Sequence, residues 1–304
     1  MRRGARAASR MTPVPTQTPD EMLTMELAHY FADPLGFVMM AYPWKQPGTE
    51  LEHEKGPDEN QKQFLLDLGK EVAARAFNGI DPVMPILMTA TSGHGTGKSV
   101  MGAWIADWIL STRPDSIGTV TAGTFTELES RTWSAIQHWT KFCITGHWFN
   151  IQARGVYHKL RPKTWKIVAQ TCKEENAQAF AGQHARTSTS WYMFDEASLI
   201  PDKVWTVSQG GLTDGEPMHF SWGQLEKNTG RFYEINFREP GTPLEPPHHR
   251  QPGVAVHQQG ADRARHQGVR DRVGLRAGSH PRPAAGGQRT PVHRARAHLG
   301  GPAT

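Results

Sequence analysis

Apolar residues recur along this chain with two alternating periods. From Glu21 to Phe37, Met22, Leu23, Met25, Leu27, Tyr30 and Phe31 fall at roughly helical intervals, and Asp20 is placed to cap the first turn. A polar stretch broken by Gly and Pro, 42–57, separates this helix from a second one predicted over about Glu59 to Phe77. Between Pro82 and Ser198 short apolar runs alternate with amphipathic ones, the signature of a parallel sheet flanked by helices. The pattern predicts strands at Val83–Ala90, Ile117–Ala122, Trp165–Thr171, Trp191–Phe194 and Met218–Trp222, with helices at Lys98–Ser111 and Thr124–Phe142. Pro85 has no amide to give a ladder, so the first strand is expected to begin after it. The fold class is therefore α/β.

Two segments fall outside this pattern. Residues 1–19 are rich in Arg, Ala, Thr and Pro without periodicity and read as a flexible lead-in to a domain spanning 20–239. From 240 to 304 the chain has no Phe, Trp, Tyr, Ile, Met, Lys, Asn or Cys. Such a segment buries too little apolar surface to offset its chain entropy and is expected to be disordered. A basic tail can bind nucleic acid through phosphates, but the simultaneous loss of so many residue types points to translation of a GC-rich gene in a shifted frame.

Charge and cysteine content narrow the classes. The formal net charge of +5 hints at a polyanionic partner, weakly, because much of the excess sits in the tail. Cys143 and Cys172 form neither a disulfide framework nor a metal-ligand spacing, which fits a reducing cytosolic compartment. No run approaches the ~18 apolar residues of a membrane span, and the basic start leads into no apolar export segment, so no membrane association is expected.

The sharpest chemical signal is Thr91–Ser99, TSGHGTGKS, lying between an apolar strand and an amphipathic helix. Gly97, Lys98 and Ser99 satisfy the G-K-[ST] of a phosphate-binding P-loop, with Ser92 where the strict pattern asks for Gly. The loop Ser92, Gly93, His94, Gly95, Thr96, Gly97, Lys98 and Ser99 would bind the nucleotide, with the amides of Gly95, Thr96, Gly97 and Lys98 pointing inward as an anion nest and the helix N-terminus behind them. Lys98 would then reach the β and γ phosphates and Ser99 would ligate Mg²⁺. A Gly-rich turn that merely caps a helix is the plainer reading. The second signal is the apolar run Trp191–Phe194 followed by Asp195 and Glu196. At the end of a strand about a hundred residues after a P-loop, this predicts a Walker B pair, with Asp195 on the metal side and Glu196 as general base. The alternative makes Asp195 a helix cap and Glu196 a solvated side chain.

Together these residues resemble the large subunit of phage terminase, the ATPase and nuclease that packages DNA into proheads. The resemblance covers roughly Asp20 to Glu239. The stretch DPLGFV…AYPW…PGTELE…GPDENQ is similar to the family's lead into its adenine-contacting glutamine, here Gln61, with Asn60 where the family usually carries Trp. SGHGTGKS resembles the family's Walker A form, TAGT…EL…RTW over Thr121–Trp133 the strand and helix after it, and FAGQH at Phe180–His184 a turn before Walker B. GQLEKNTGRFYE at Gly223–Glu234 is similar to the coupling motif that senses the γ-phosphate, with Gln224 and Leu225 replacing Asn and Pro. The resemblance implies an ASCE, RecA-like P-loop fold, ATP and Mg²⁺ as cofactors, and catalytic roles for Glu196, Lys98 and Gln224. It also implies double-stranded DNA as substrate, the terminase small subunit and the portal of the prohead as partners, a homo-oligomeric ring, and the cytoplasm of a bacterial host as location. The family's nuclease domain should follow, yet after Glu239 only Glu245, Asp262 and Asp271 are acidic, so no DNA cleavage is expected. Another DNA-translocating or helicase-like P-loop ATPase, and a prophage remnant that only binds nucleotide, fit the same motifs.

Two further groups stand out. Arg154, His158, Lys159, Arg161, Lys163 and Lys166 lie between Gln152 and Ala169 without an acidic residue, interleaved with Tyr157 and Trp165, and read equally as a DNA-facing hairpin or a solvated basic face. Arg131 and Arg186 are the candidates for an arginine that stabilises charge on the γ-phosphate, with surface ion pairs as the plainer role. The shifted-frame reading is checked on the coding DNA beyond the Glu239 codon: another frame is expected to give an acidic, aromatic-containing continuation, and finding none makes the tail native.

Overall fold

The computed structural model describes residues 17–91, 93, 95–237 and the backbone of 254–258. Ser92, His94, residues 1–16 and the rest of the 238–304 stretch lie outside the described residues, including most of the expected tail. No helix among the described residues is long and apolar enough to cross a membrane.

The N-terminal lead forms α1 (Pro19–Leu27), a 3-10 turn and α2 (Pro34–Ala41) rather than one helix. Asp33 caps α2 by accepting from the Gly36 amide, and Pro34 has no amide to continue the preceding ladder, so the chain restarts there. The cap of α1 is Thr18 in a capping box with Glu21, not Asp20. Asp20 lies inside the first turn, where its carboxylate accepts from His147 Nε2 at 2.9 Å and Trp148 Nε1 at 3.1 Å. α3 (Glu59–Arg75) follows, and then β1 (Ile86–Thr91), which starts immediately after Pro85 as expected.

The remaining elements are α4 (Lys98–Thr112), β2 (Ile117–Ala122), α5 (Phe125–Glu127) running through a π-helical stretch Leu128–Trp133 into α6 (Ser134–Phe142), the hairpin β3 (Phe149–Gln152) and β4 (Gly155–His158), β5 (Lys166–Ala169), β6 (Ser190–Asp195), α7 (Asp202–Gln209), β7 (Met218–Gly223), α8 (Arg231–Phe237) and β8 (Val254–Gln258). The sheet order is β3-β4-β5-β2-β6-β7-β1-β8. β5, β2, β6, β7, β1 and β8 are parallel, whereas β3 and β4 pair antiparallel at one edge. β8 lies within the stretch expected to be unstructured.

The central strands β1, β2, β6 and β7 are buried on both faces, as parallel strands are, and the side chains of β1, β6 and β7 alternate between two cores. Ile86, Met88, Ala90, Trp191, Met193, Met218, Phe220 and Trp222 join the core under α3, α4 and α6, while Leu87, Tyr192 and Phe194 join a smaller one under α7 and α8. α4 is apolar nearly all round and buried almost throughout, with α6 and α2 packed over it. Its one acid, Asp107, accepts from Tyr42 Oη and from Thr140 Oγ1, each at 2.7 Å, so the N-terminal lead and α6 both anchor on it. Trp44, Trp104 and Trp139 close the same junction, edge-on or tilted at 5.2–5.8 Å.

At the far end of α4, Arg113 donates from Nε to Glu216 Oε2 at 2.8 Å and from Nη2 to Oε1 at 3.3 Å. Its guanidinium lies over the rings of Phe31 and Trp108, and Glu216 also accepts from Thr189 Oγ1 at 2.7 Å. This fork pins the end of α4 to the starts of β6 and β7.

Glu216→Gln keeps the shape but leaves the buried guanidinium without its counter-charge, and is expected to cost about 3–5 kcal/mol in chemical denaturation; a loss under about 1 kcal/mol contradicts this. Burial pushes the Asp107 carboxyl up to about 7. Because that is above the unfolded value of ~3.9, the folded chain holds the proton more tightly and stability falls as pH rises from about 4 to about 7. Asp107→Asn should flatten that slope in thermal melts, and an unchanged slope would count against it.

Candidate functional site

Parallel strands end at one edge of the sheet, and most of the candidate site residues collect there. Gly95 and Gly97 adopt left-handed backbone at φ 73° and 75°, and Lys98 opens α4 directly afterwards. Gly97 is constrained twice, since a Cβ there would also lie 2.4 Å from Gln61 Nε2. Gln61 sits in the first turn of α3, in a capping box with Asp58, where its Oε1 accepts from the Asp58 amide at 2.9 Å. Its Nε2 donates to the Gly97 carbonyl at 3.2 Å. The glutamine expected to face adenine thus also ties α3 to the loop, and its amide has a second N–H to offer. Lys98 Nζ donates to the Gly93 carbonyl at 2.7 Å, spanning the loop, and Thr96 Oγ1 does so at 3.2 Å.

Opposite lies the acidic turn. Asp195 ends β6, buried, with Oδ1 accepting from the Glu196 amide at 2.9 Å and Oδ2 from the Thr132 hydroxyl. Burial raises the Asp195 pKa, opposed by those two donors and by the charges of Lys98 and Arg131. Glu196 stands at φ 46°, a left-handed conformation that costs a non-glycine residue about 1–3 kcal/mol. It turns the chain so that both carboxyl groups face the loop instead of one following the strand to its far face. Gly223 makes room for this turn: a Cβ there would lie 2.9 Å from the Ala197 amide and 3.1 Å from Glu196 Cα.

Gly95, Thr96, Gly97, Lys98, Ser99, Val100, Arg131, Asp195 and Glu196 line one cavity of about 210 Å³. β7 is inserted between β1 and β6. At ~4.8 Å per strand the loop and the acidic turn are set about 10 Å apart. Arg131 Nη1 lies 3.8 Å from Glu196 Oε1 and is half exposed to the cavity. Gln224, immediately after β7, stands beside the loop, its Nε2 being 3.9 Å from where a Cβ on Gly93 would sit.

Other expected residues lie elsewhere. Arg186 is exposed on the connection into β6 and does not line the cavity, and His184 faces Asp214 at 3.3 Å. Around the β3–β4 hairpin, Trp165 is buried and stacked on His158 at 4.1 Å, while Arg161 pairs with Asp115, so neither is presented as an open contact. Arg154, Lys159 and Lys163 are exposed. Thr132 was not anticipated. In the sequence it stands out only as the middle residue of the Arg131–Trp133 motif, and the hydrogen bond to Asp195 spans 63 residues.

A glycine loop between strand and helix, facing an acidic turn one inserted strand away, defines a P-loop fold of the ASCE, RecA-like class. The chain is similar to the large subunit of phage terminase. No protein-family model matches it. The "Probable terminase, large subunit" of Enterobacteria phage P7 is 29% identical over 166 residues, 51% of this chain and 33% of that protein. The chain thus spans about a third of the length of that relative. Among solved structures, the Thermus phage P74-26 large terminase ATPase domain is 18% identical, covering 72% of this chain and 88% of that one, with a TM-score of 0.41. The large terminase of bacteriophage HK97 is 14% identical, covering 67% and 39%, at 0.44. The large terminase of another thermophilic bacteriophage, in complex with ADP, is 15% identical, covering 45% and 33%, at 0.34.

Proposed function

We propose that this chain hydrolyses ATP to move double-stranded DNA, as the motor portion of a terminase large subunit. The observation that supports the reading best is the single cavity shared by the Gly95–Ser99 loop and the Asp195–Glu196 turn. Amides of the loop and the N-terminus of α4 receive the phosphates, and Lys98, which opens α4 and lines the cavity, reaches the β and γ oxygens. The Ser99 hydroxyl and the Asp195 carboxylate share the cavity and form an oxygen donor set of the kind Mg²⁺ takes, so these residues fit the ion. Bound there, Mg²⁺ would neutralise charge on the phosphate oxygens.

Glu196 accepts the proton of the attacking water, with Arg131, the arginine that lines the cavity, as its counter-charge and as the cation offered to the γ-phosphate. Gln224 offers an amide from the loop's other flank, and Gln61 its second N–H to the base. Ser92, Gly93 and His94 complete the loop. The DNA substrate, the small subunit and portal, assembly into a ring and the host cytoplasm rest on the resemblance, with the exposed Arg154, Lys159 and Lys163 as a surface suited to phosphates.

Lys98→Ala is expected to abolish binding of a fluorescent ATP analogue. Glu196→Gln should bind it normally while DNA-stimulated turnover drops roughly 10²–10⁴-fold. Absence of nucleotide binding by the folded wild-type chain sinks the reading, whereas binding without turnover favours the remnant.

A further inference from the structure

The π-helical stretch Leu128–Trp133 has no counterpart in the sequence pattern, which predicts an uninterrupted helix over 124–142. π turns widen the helix by one residue, are rare, and collect at functional sites. Here the widened turn delivers two consecutive side chains to two consecutive acids: Arg131 reaches Glu196, and Thr132 donates to Asp195. The i to i+5 pattern turns the chain by less per residue than the ~100° of an α-helix, and along it both side chains reach the acidic turn.

Thr132 is fully buried, and its hydroxyl takes the Asp195 oxygen that the Glu196 amide does not. The carboxylate is held at both oxygens and has one orientation, and each oxygen keeps a lone pair for a further partner. We propose that Thr132 is a positioning residue: delivered by the π turn, it fixes the rotamer in which Asp195 presents a lone pair towards Ser99 across the cavity, so that the divalent cation of the bound nucleotide is taken up without reorienting a buried acid. This rests on the nucleotide-binding reading above and adds to it a residue that touches neither nucleotide nor cation.

The test uses the full chain and a fluorescent ATP analogue, titrated with MgCl₂ and also measured in EDTA. Thr132→Val keeps the volume and removes the hydroxyl. It is expected to leave analogue affinity in EDTA unchanged, to raise the MgCl₂ concentration for half-maximal binding at least about fivefold, and to leave the melting temperature without nucleotide within a few degrees. Thr132→Ser, which restores the hydroxyl without the methyl, should return the MgCl₂ requirement to wild type. The proposal is overturned if Thr132→Val titrates like wild type, or if Thr132→Ser shifts as far as Thr132→Val, since packing would then be the cause. Should Thr132→Val not fold, Thr132→Cys, only a weak donor, takes its place with the same two outcomes. A wild type that binds no nucleotide at all fails the earlier reading instead.

Discussion

The molecule depends on one geometric constraint: in a parallel sheet all strands end at the same edge, and neighbouring ends are a fixed distance apart. β1 ends in the glycine loop, β6 ends in the acidic pair, and β7 alone lies between them. Two strand spacings, about 10 Å, leave room for a phosphate chain between the two halves. Asp195 lies level with Ala122 of β2, and Thr91 level with Gly223 of β7, so ladder hydrogen bonds set the height of each half as well as the distance between them.

What surrounds that edge keeps it fixed. The Arg113–Glu216 fork holds the opposite end of α4 to the starts of β6 and β7, so the helix that follows the glycine loop cannot pivot freely against the strands. Gln61 grips the loop through the Gly97 carbonyl, and Gly223 lets the sheet approach the Glu196 backbone closely. Burial works against ionisation of Asp195, and two donated hydrogen bonds and two nearby cations work for it. A carboxylate in that balance depends on the orientation of each donor, which is why the geometry of the adjoining helical turn matters to a site it does not line along its whole length.

Much of the core fold could be read from the chain. Continuous apolar runs bounded by turn residues gave all five central strands to within a few residues, because parallel strands buried on both faces have no polar alternation to disguise them. Pro85 placed the start of β1 correctly because a missing amide is a local fact. The β3–β4 hairpin was not separated from its basic surroundings: Phe149–Gln152, half exposed, and Gly155–His158, mostly buried, are four residues each, too short to carry a period. α7 and α8 were missed for a related reason, being eight and seven residues long and stabilised by packing rather than by pattern. The break between α1 and α2 depended on Asp33 and Pro34 acting together, and the apolar spacing runs straight through them.

For the proposed site, the sequence by itself determined where the loop and the acidic pair lie, since an anion nest would need glycines in order before a helix and a metal-side carboxylate would need the end of an apolar strand. Both are contiguous, so both survive in one dimension. Only the tertiary structure decided which other residues meet them: Gln61 is 36 positions from Gly97, Thr132 is 63 from Asp195, and Arg186, closer in sequence to the acids than Arg131, stands away from the cavity. Those contacts follow from strand order, close approach and one widened helical turn, none of which leaves a spacing rule in the chain.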